Sequence, residues 1–171
     1  MVSRRGTQIV EYPSELEIVT TRLFDAPRDL VFRVLTEPQY LRCWFATGGD
    51  VMTTCEVDLR VGGTFHHVFV TPEGRECSFR GQYLEIDRPS HVISSWLFEG
   101  WPNAWATETY SLSESDGLTT LRLSLAFRDV EGASHMRSAH ERARVSAEDN
   151  GLSASLDAME EVLQDVVGGL E

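Results

Sequence analysis

The stretch LSASLDAMEEVLQDV, residues 152–166, decides the fold of this chain. Its apolar residues extend an apolar series from Val145 with spacings of 7, 4, 3, 4 and 3: Val145, Leu152, Leu156, Met159, Leu163 and Val166. Such spacing puts them on one face of a helix, and four acidic residues fall on the opposite face: Asp157, Glu160, Glu161 and Asp165. We predict a long amphipathic C-terminal helix that ends at Gly168-Gly169. Gly151 leaves its continuity open.

The preceding segment supplies the surface that this helix covers. From Val51 to Phe127 apolar and polar residues alternate with a period of two, and Gly, Pro and Asp mark the turns. The alternation is clearest at Leu121, Leu123, Leu125 and Phe127, which predicts a strand with one buried face. With a β-branched segment at 16–24, the pattern predicts a curved antiparallel sheet of seven strands.

Two short helices are predicted between the first strand and the rest of the sheet. Pro27 suits the first turn of the first helix. A break at 36–38, which contains Pro38, separates that helix from the second one. The order therefore predicts an α+β fold in which the long helix covers the concave face of the sheet. Residues 1–14 are predicted to be a loosely ordered arm, and 15–168 a single domain.

Composition excludes several classes of function. The net charge of −12 argues against partners that are nucleic acids or anionic membranes. No run of 18 apolar residues and no secretory signal pattern is present. All 15 basic residues are Arg, which excludes Schiff-base chemistry on a lysine. The 3 cysteines have no CxxC spacing, so we expect a cytoplasmic, bacterial protein without disulfides.

Several local sequences, taken in order, resemble one known family. They are FDAPRDLVF (24–32), TEP (36–38) followed by Leu41 and Trp44-Phe45, VDLRVGGTF (57–65), GQYLEI (81–86), GLTTL (117–121), and Gly151 with LDAM (156–159). The chain thereby resembles the activator of heat-shock protein 90 ATPase homologue-like branch of the START/SRPBCC superfamily. This resemblance implies a helix-grip fold, like that of the birch-pollen allergen, with an apolar ligand cavity.

The chain departs from that family at three places. Phe45 follows Trp44 where relatives usually carry a second Trp, and Leu152 follows Gly151 where many carry Trp. The segment 133–149 is longer and richer in Arg than the resemblance leads us to expect. The last difference affects the mouth of the cavity and the start of the long helix.

Aromatic residues are the main candidates for lining a cavity, because small-ligand sites are mostly apolar with a few placed polar groups. Trp105 flanks Pro102, near a loop, and is expected at the rim. Arg80 and Glu108 are the candidate polar groups, since large rings surround both in sequence. Ordinary core packing remains the alternative for each aromatic. The predicted lining is Trp44, Phe45, Phe65, Phe79, Trp96, Trp105, Tyr110, Leu152, Leu156 and Met159.

Other constellations do not predict chemistry. His66 and His67 are adjacent on a strand and point to opposite faces, so they are not expected to chelate a metal together. No Gly-x-Ser-x-Gly elbow occurs, and nothing in the spacing pairs a cysteine with a histidine. We therefore predict no catalytic residue, no metal and no cofactor. Asp58 and Arg60, beside Gly62-Gly63, are interpreted as structural.

The leading functional hypothesis is non-catalytic binding of a hydrophobic or aromatic small molecule in the internal cavity. One alternative is a chaperone-associated or other protein-interaction domain that uses the outer surface. Another is a cyclase-type enzyme, which requires a titratable cavity residue with a shifted pKa. The sequence leaves open whether the protein is a monomer or a homodimer.

Overall fold

The computed structural model describes residues 3–146 and 151–169, with side chains omitted for 143–146. The elements in chain order are β1 Ile9–Glu11, β2 Glu17–Phe24, α1 Arg28–Thr36, α2 Pro38–Trp44, β3 Val51–Val57, β4 Thr64–Val70, β5 Glu76–Asp87, β6 His91–Phe98, β7 Trp105–Ser115, β8 Leu118–Phe127, α3 Val130–Ser146 and α4 Leu152–Gly168.

The strands form one antiparallel sheet in the order β1-β2-β8-β7-β6-β5-β4-β3. The α+β class and the antiparallel sheet are confirmed, but the sheet has eight strands instead of seven. The additional strand comes from the N-terminal arm, where Ile9 pairs with Thr21 and Glu11 with Val19. It covers backbone groups that β2 would otherwise leave unpaired at the sheet edge.

Helices α1 and α2 form a continuous cover over one part of the sheet. Helix α1 ends at Thr36 because the residue before a proline is disfavoured in helical conformation, and Pro38 then begins α2. The indole nitrogen of Trp44 donates a hydrogen bond to the Val34 carbonyl at 2.9 Å. This bond joins the two helices and gives Trp44 a structural role.

The prediction of a single helix over 145–166 is wrong at its beginning. Helix α3 reaches Ser146, and α4 begins only at Leu152. Gly151 has a φ of 86°, which lies in the left-handed region and outside helical geometry. The side chain of Val145 lies outside the described residues, as do residues 147–150. Three apolar residues of the predicted stripe are at most 2% exposed: Leu156, Met159 and Leu163.

A buried ion-pair network holds α4 against β2 and the N-terminal arm. The Arg22 guanidinium lies 2.8 Å from the Asp157 carboxylate and 2.6 Å from the Glu160 carboxylate. It also donates to the Gln8 side-chain oxygen at 2.9 Å. Glu160, predicted on the exposed face, is therefore buried, because the arm crosses that face and the backbone N–H of Arg4 donates to it.

No helix in the described ranges is long and apolar enough to cross a membrane.

Candidate functional site

A small cavity, called the inner cavity below, lies between the concave face of β4–β7 and the α1–α2 segment. Its volume is about 30 Å³, measured as the space open to the centres of water molecules. That space suits about two waters, so a larger molecule must displace side chains to enter. The lining residues are Leu35, Thr36, Leu41, Phe45, Phe65, His67, Phe79, Tyr83, Val92, Ser94, Trp96, Glu108 and Tyr110.

A row of polar side chains crosses the floor of the inner cavity. In the sheet register Tyr83 lies opposite Ser94, and Ser94 opposite Glu108, so one residue from each of β5, β6 and β7 lies side by side. The Tyr110 hydroxyl donates to the Glu108 carboxyl at 3.1 Å. Ser94 also hydrogen-bonds that carboxyl. The result is a hydrogen-bonded polar strip inside an otherwise apolar chamber.

Glu108 is the central titratable group of this strip. Glu108 is buried, with 8% of its surface exposed. Burial raises the pKa of its carboxyl to about 7, and the hydrogen bonds from Tyr110 and Ser94 limit that rise. Burial and the Glu108 charge likewise raise the pKa of the Tyr110 phenol. Glu108 therefore changes protonation near neutral pH, while Tyr110 remains a neutral hydrogen-bond donor.

His67 is a second buried titratable group on the wall. Burial lowers the pKa of its imidazole to about 4, so the ring is neutral at physiological pH. The ring centroid lies 5.2 Å from those of both Phe45 and Phe65. Its Nδ1 atom has no hydrogen-bond partner among the described residues. His66 points elsewhere and contacts the Ser78 hydroxyl at 3.2 Å, as the alternation along a strand requires.

Aromatic rings close the rest of the chamber. Phe79 stands in the middle, 5.5 Å from Phe45 and 5.6 Å from Trp96 between ring centroids. Phe45 follows α2, and its carbonyl accepts a hydrogen bond from the Ser155 hydroxyl of α4 at 3.3 Å. Helix α4 thus contacts the chamber indirectly, through the segment that carries Phe45.

The structure brings together six of the twelve candidates predicted from sequence. They are Phe45, Phe65, Phe79, Trp96, Tyr110 and Glu108.

Four other predicted lining residues are buried or half-buried in the core but do not line the inner cavity. Helix α4 packs mainly on α1 and α2, so its apolar stripe reaches those helices before the floor of the chamber. These four are Trp44, Leu152, Leu156 and Met159.

Two predictions placed residues on the wrong face of the sheet. Arg80 has a 55% exposed side chain that pairs with Glu99 at 3.0 Å. Trp105 is 39% exposed and carries the Arg128 guanidinium over its ring at 5.4 Å. Side chains alternate between faces along a strand. Arg80 therefore points outward because its neighbour Phe79 points inward.

Sequence reasoning missed Thr36 at the end of α1 and three polar lining residues on strands, His67, Tyr83 and Ser94. The alternation held a signal for each, because His67 is two residues from Phe65 and Ser94 is two residues from Trp96. Tyr83 is four residues from Phe79 on the same strand. The alignment of Tyr83 and Ser94 with Glu108 depends on strand register, which a single sequence does not show.

The arrangement supports hydrogen bonding and proton transfer at one carboxyl group. Within residues 3–146 and 151–169 no group of three or more His, Cys, Asp or Glu side chains is arranged to hold a metal ion. The Cys55 and Cys77 thiols do not line the inner cavity, and burial raises the pKa of each. A raised pKa makes a thiol a poor nucleophile.

Solved structures of several bacterial proteins resemble this fold. A Rhodobacter sphaeroides protein has 20% identity and a TM-score of 0.77, covering 94% of this chain and 99% of its own. A Nitrosomonas europaea protein has 24% identity and a TM-score of 0.75, covering 91% and 98%. The AHSA1-like protein from Aeromonas hydrophila has 16% identity and a TM-score of 0.63, covering 90% and 95%. Identities this low show the fold alone.

A search of curated proteins gives no match to this sequence. The profile of one protein family does match, over residues 25–164, which include every residue that lines the inner cavity. With the helix-grip architecture of its structural neighbours, this match shows that the chain belongs to the family of activator of Hsp90 ATPase homolog 1-like proteins.

Proposed function

We propose that this domain binds a small aromatic or apolar molecule in the inner cavity and holds one polar group of that molecule at Glu108. The observation that carries the proposal is the burial of Glu108, Ser94 and Tyr83 together, with the half-buried Tyr110 beside them, behind a wall of aromatic rings. Burying a carboxyl group is unfavourable unless it is fully hydrogen-bonded, and apolar residues would stabilise the core more simply. Such an arrangement is typical of a binding site.

The proposed ligand follows from the shape and chemistry of the chamber. Phe79 contacts Phe45 edge-on and Trp96 at a tilt, and these rings would pack against a flat aromatic ligand once Phe45 moves aside. A hydroxyl group on that ring reaches a carboxylate that accepts hydrogen bonds above pH 7. Because the chamber has room only for water-sized molecules, we infer that a larger ligand displaces Phe45 from Phe79. Phe45 is suited to this because it follows the end of α2 instead of lying within a strand.

Phenol and toluene form a matched pair of probes, because they have similar size and differ in one hydroxyl group. We expect phenol to bind at pH 8 at least about tenfold more tightly than toluene, as a charge-assisted hydrogen bond provides. Ligand-observed NMR titration measures both affinities. The Glu108→Leu variant removes the acceptor and should abolish the preference, and Glu108→Gln should leave an intermediate one.

The control for this titration is Glu56→Leu, which removes an exposed carboxylate from β3. It should keep the wild-type preference for phenol. Equal affinity for phenol and toluene in the wild type, or an unchanged preference in Glu108→Leu, would contradict the proposal.

The pKa of Glu108 also favours an acid–base enzyme as the second candidate. A carboxyl group with a pKa near 7 is well matched to general acid–base catalysis at neutral pH. Acetophenone tests this candidate, because its methyl protons exchange with D₂O when a base removes them. Exchange that is accelerated by the wild type and not by Glu108→Gln would support an enzyme. Exchange of the acetophenone methyl protons at the uncatalysed rate would contradict the enzyme candidate and leave ligand binding as the proposed function.

A chaperone-associated role remains a prediction from the family resemblance, and cytoplasmic location remains a prediction from the cysteine content. Both a monomer and a homodimer are compatible with the sequence.

A further inference from the structure

A second and larger cavity, called the outer cleft below, opens between α3 and the adjoining ends of β5 and β6. Its volume is about 200 Å³ on the same measure, several times that of the inner cavity. Its lining includes Arg75, Cys77, Phe98, Trp101 and Arg142. The helical side of the cleft belongs to the Arg-rich segment in which this chain departs from its relatives, so the inner cavity does not account for it.

The floor of the outer cleft is apolar and firmly packed. Phe98 and Trp101 meet edge to face with ring centroids 4.6 Å apart. The Trp101 ring also stacks on the imidazole of His135 from α3, with ring centroids 5.8 Å apart and an interplanar angle of 16°. Cys77 is 4% exposed. These contacts hold the rings in place, so the cleft presents a preformed apolar surface to a planar ligand.

The rim of the cleft carries two guanidinium groups. Arg75 and Arg142 are both exposed, and in the described part of the chain neither has a carboxylate within ion-pairing distance. Among the described residues that line the cleft, Glu76 is the one with a carboxylate. Two guanidinium groups and one carboxylate leave a positive excess in a chain whose net charge is −12. Planar guanidinium groups match the geometry of a carboxylate.

The two arginines are not equivalent. The Arg75 charge also acts on the carboxylates of Asp50 and Glu73, which lie outside the lining. No ion pair joins Arg142 to a carboxylate in the described residues. Arg142 therefore supplies the less compensated charge.

We infer that the outer cleft binds a small aromatic carboxylate, with its ring on Phe98 and Trp101 and its carboxylate at Arg142 and Arg75. This site is separate from the inner cavity, because the rings of Phe79 and Phe98 meet between them at 4.7 Å. It stands independently of the proposed function at Glu108.

Isothermal titration calorimetry with 2-naphthoate tests the site, and 2-naphthamide serves as the neutral probe of the same shape. We expect the acid to bind one-to-one and the amide to bind at least about tenfold more weakly. Arg142→Gln should weaken acid binding about tenfold, Arg75→Gln by less, and neither should change amide binding. Added salt should weaken binding of the acid alone.

Arg80→Gln is the matched control, because it removes one exposed guanidinium of β5 that does not line the outer cleft. It should leave the affinity for 2-naphthoate unchanged, as should Glu108→Gln. Circular dichroism confirms that each variant is folded. Absence of naphthoate binding, equal affinity for acid and amide, or an affinity unchanged in Arg142→Gln overturns the inference. Binding lost in Glu108→Gln instead places the probe in the inner cavity and also overturns it.

Discussion

At the scale of the residue, Glu108 and His67 are two titratable groups for which burial disfavours the charged form. Burial raises the pKa of Glu108 to about 7 from an ordinary 4.5, and lowers that of His67 to about 4 from 6.5. Each group is neutral where the same residue in an unfolded chain is charged. Their contributions to the pH dependence of stability therefore have opposite signs.

We predict that replacing either Glu108 or His67 reveals the contribution of the other residue to the pH dependence of the free energy of unfolding. Between about pH 4.5 and 7 the unfolded chain has lost the Glu108 proton while the folded chain retains it, so this group makes stability fall as pH rises. Between about pH 4 and 6.5 the unfolded chain binds a proton at His67 that the folded chain excludes, so stability rises with pH. Each effect is about 3 kcal/mol.

Urea denaturation across pH 4 to 8 measures these two contributions. Glu108→Gln should show stability that rises more steeply with pH than in the wild type, because only the His67 contribution remains. His67→Phe keeps an aromatic ring beside Phe65 and should show the opposite change. Profiles parallel to that of the wild type in both variants would mean that neither group is buried as described.

At the scale of the element, the position of α4 depends on polar contacts with the N-terminal arm and β2. The Arg22 side chain has no exposed surface and contacts two carboxylates of α4. The arm adds backbone donors, with Gly6 N–H donating to Asp157 at 3.0 Å. Because α4 also holds the Phe45 carbonyl through Ser155, these contacts restrain a wall of the inner cavity.

Replacing Arg22 by Met should destabilise the protein by about 3–5 kcal/mol, because it leaves the buried Glu160 carboxylate without its ion-pair partner. The double variant Arg22→Met with Glu160→Gln should recover part of this loss. Arg5→Gln is the control, since it breaks an exposed ion pair with Glu161 and should cost less than about 1 kcal/mol. Equal losses from Arg22→Met and Arg5→Gln in chemical denaturation would contradict the proposed restraint.

At the scale of the whole molecule, the fold was predictable because it depends on local patterns. Alternation identified the strands, as at 121–127, where all four predicted residues are buried. The three-to-four spacing at 152–166 likewise identified α4. The strand β1 within the N-terminal arm was not predicted because it is short, and because its pairing with β2 is not encoded in a local pattern. The end of α3 and the beginning of α4 were missed because apolar spacing continues across Gly151.

The composition of the site was less predictable, for two different reasons. Alternation along β7 places Trp105 on the face opposite Glu108 and Tyr110, so its exposure follows from the strand pattern alone. The row formed by Tyr83, Ser94 and Glu108 depends on register between strands, which local patterns do not encode. Buried charge at Arg22 and Glu160 depends on contacts between distant elements, so apolar periodicity assigns Glu160 to the surface.

The central claim is that a ligand enters the chamber around Glu108. The most direct measurement is of intermolecular nuclear Overhauser effects between phenol and the aromatic side chains of the protein. We expect nuclear Overhauser effects between the protons of the phenol ring and those of Trp96 and Tyr110, which line the inner cavity. Effects confined to the exposed ring of Trp105, or to Trp101 in the outer cleft, would contradict it.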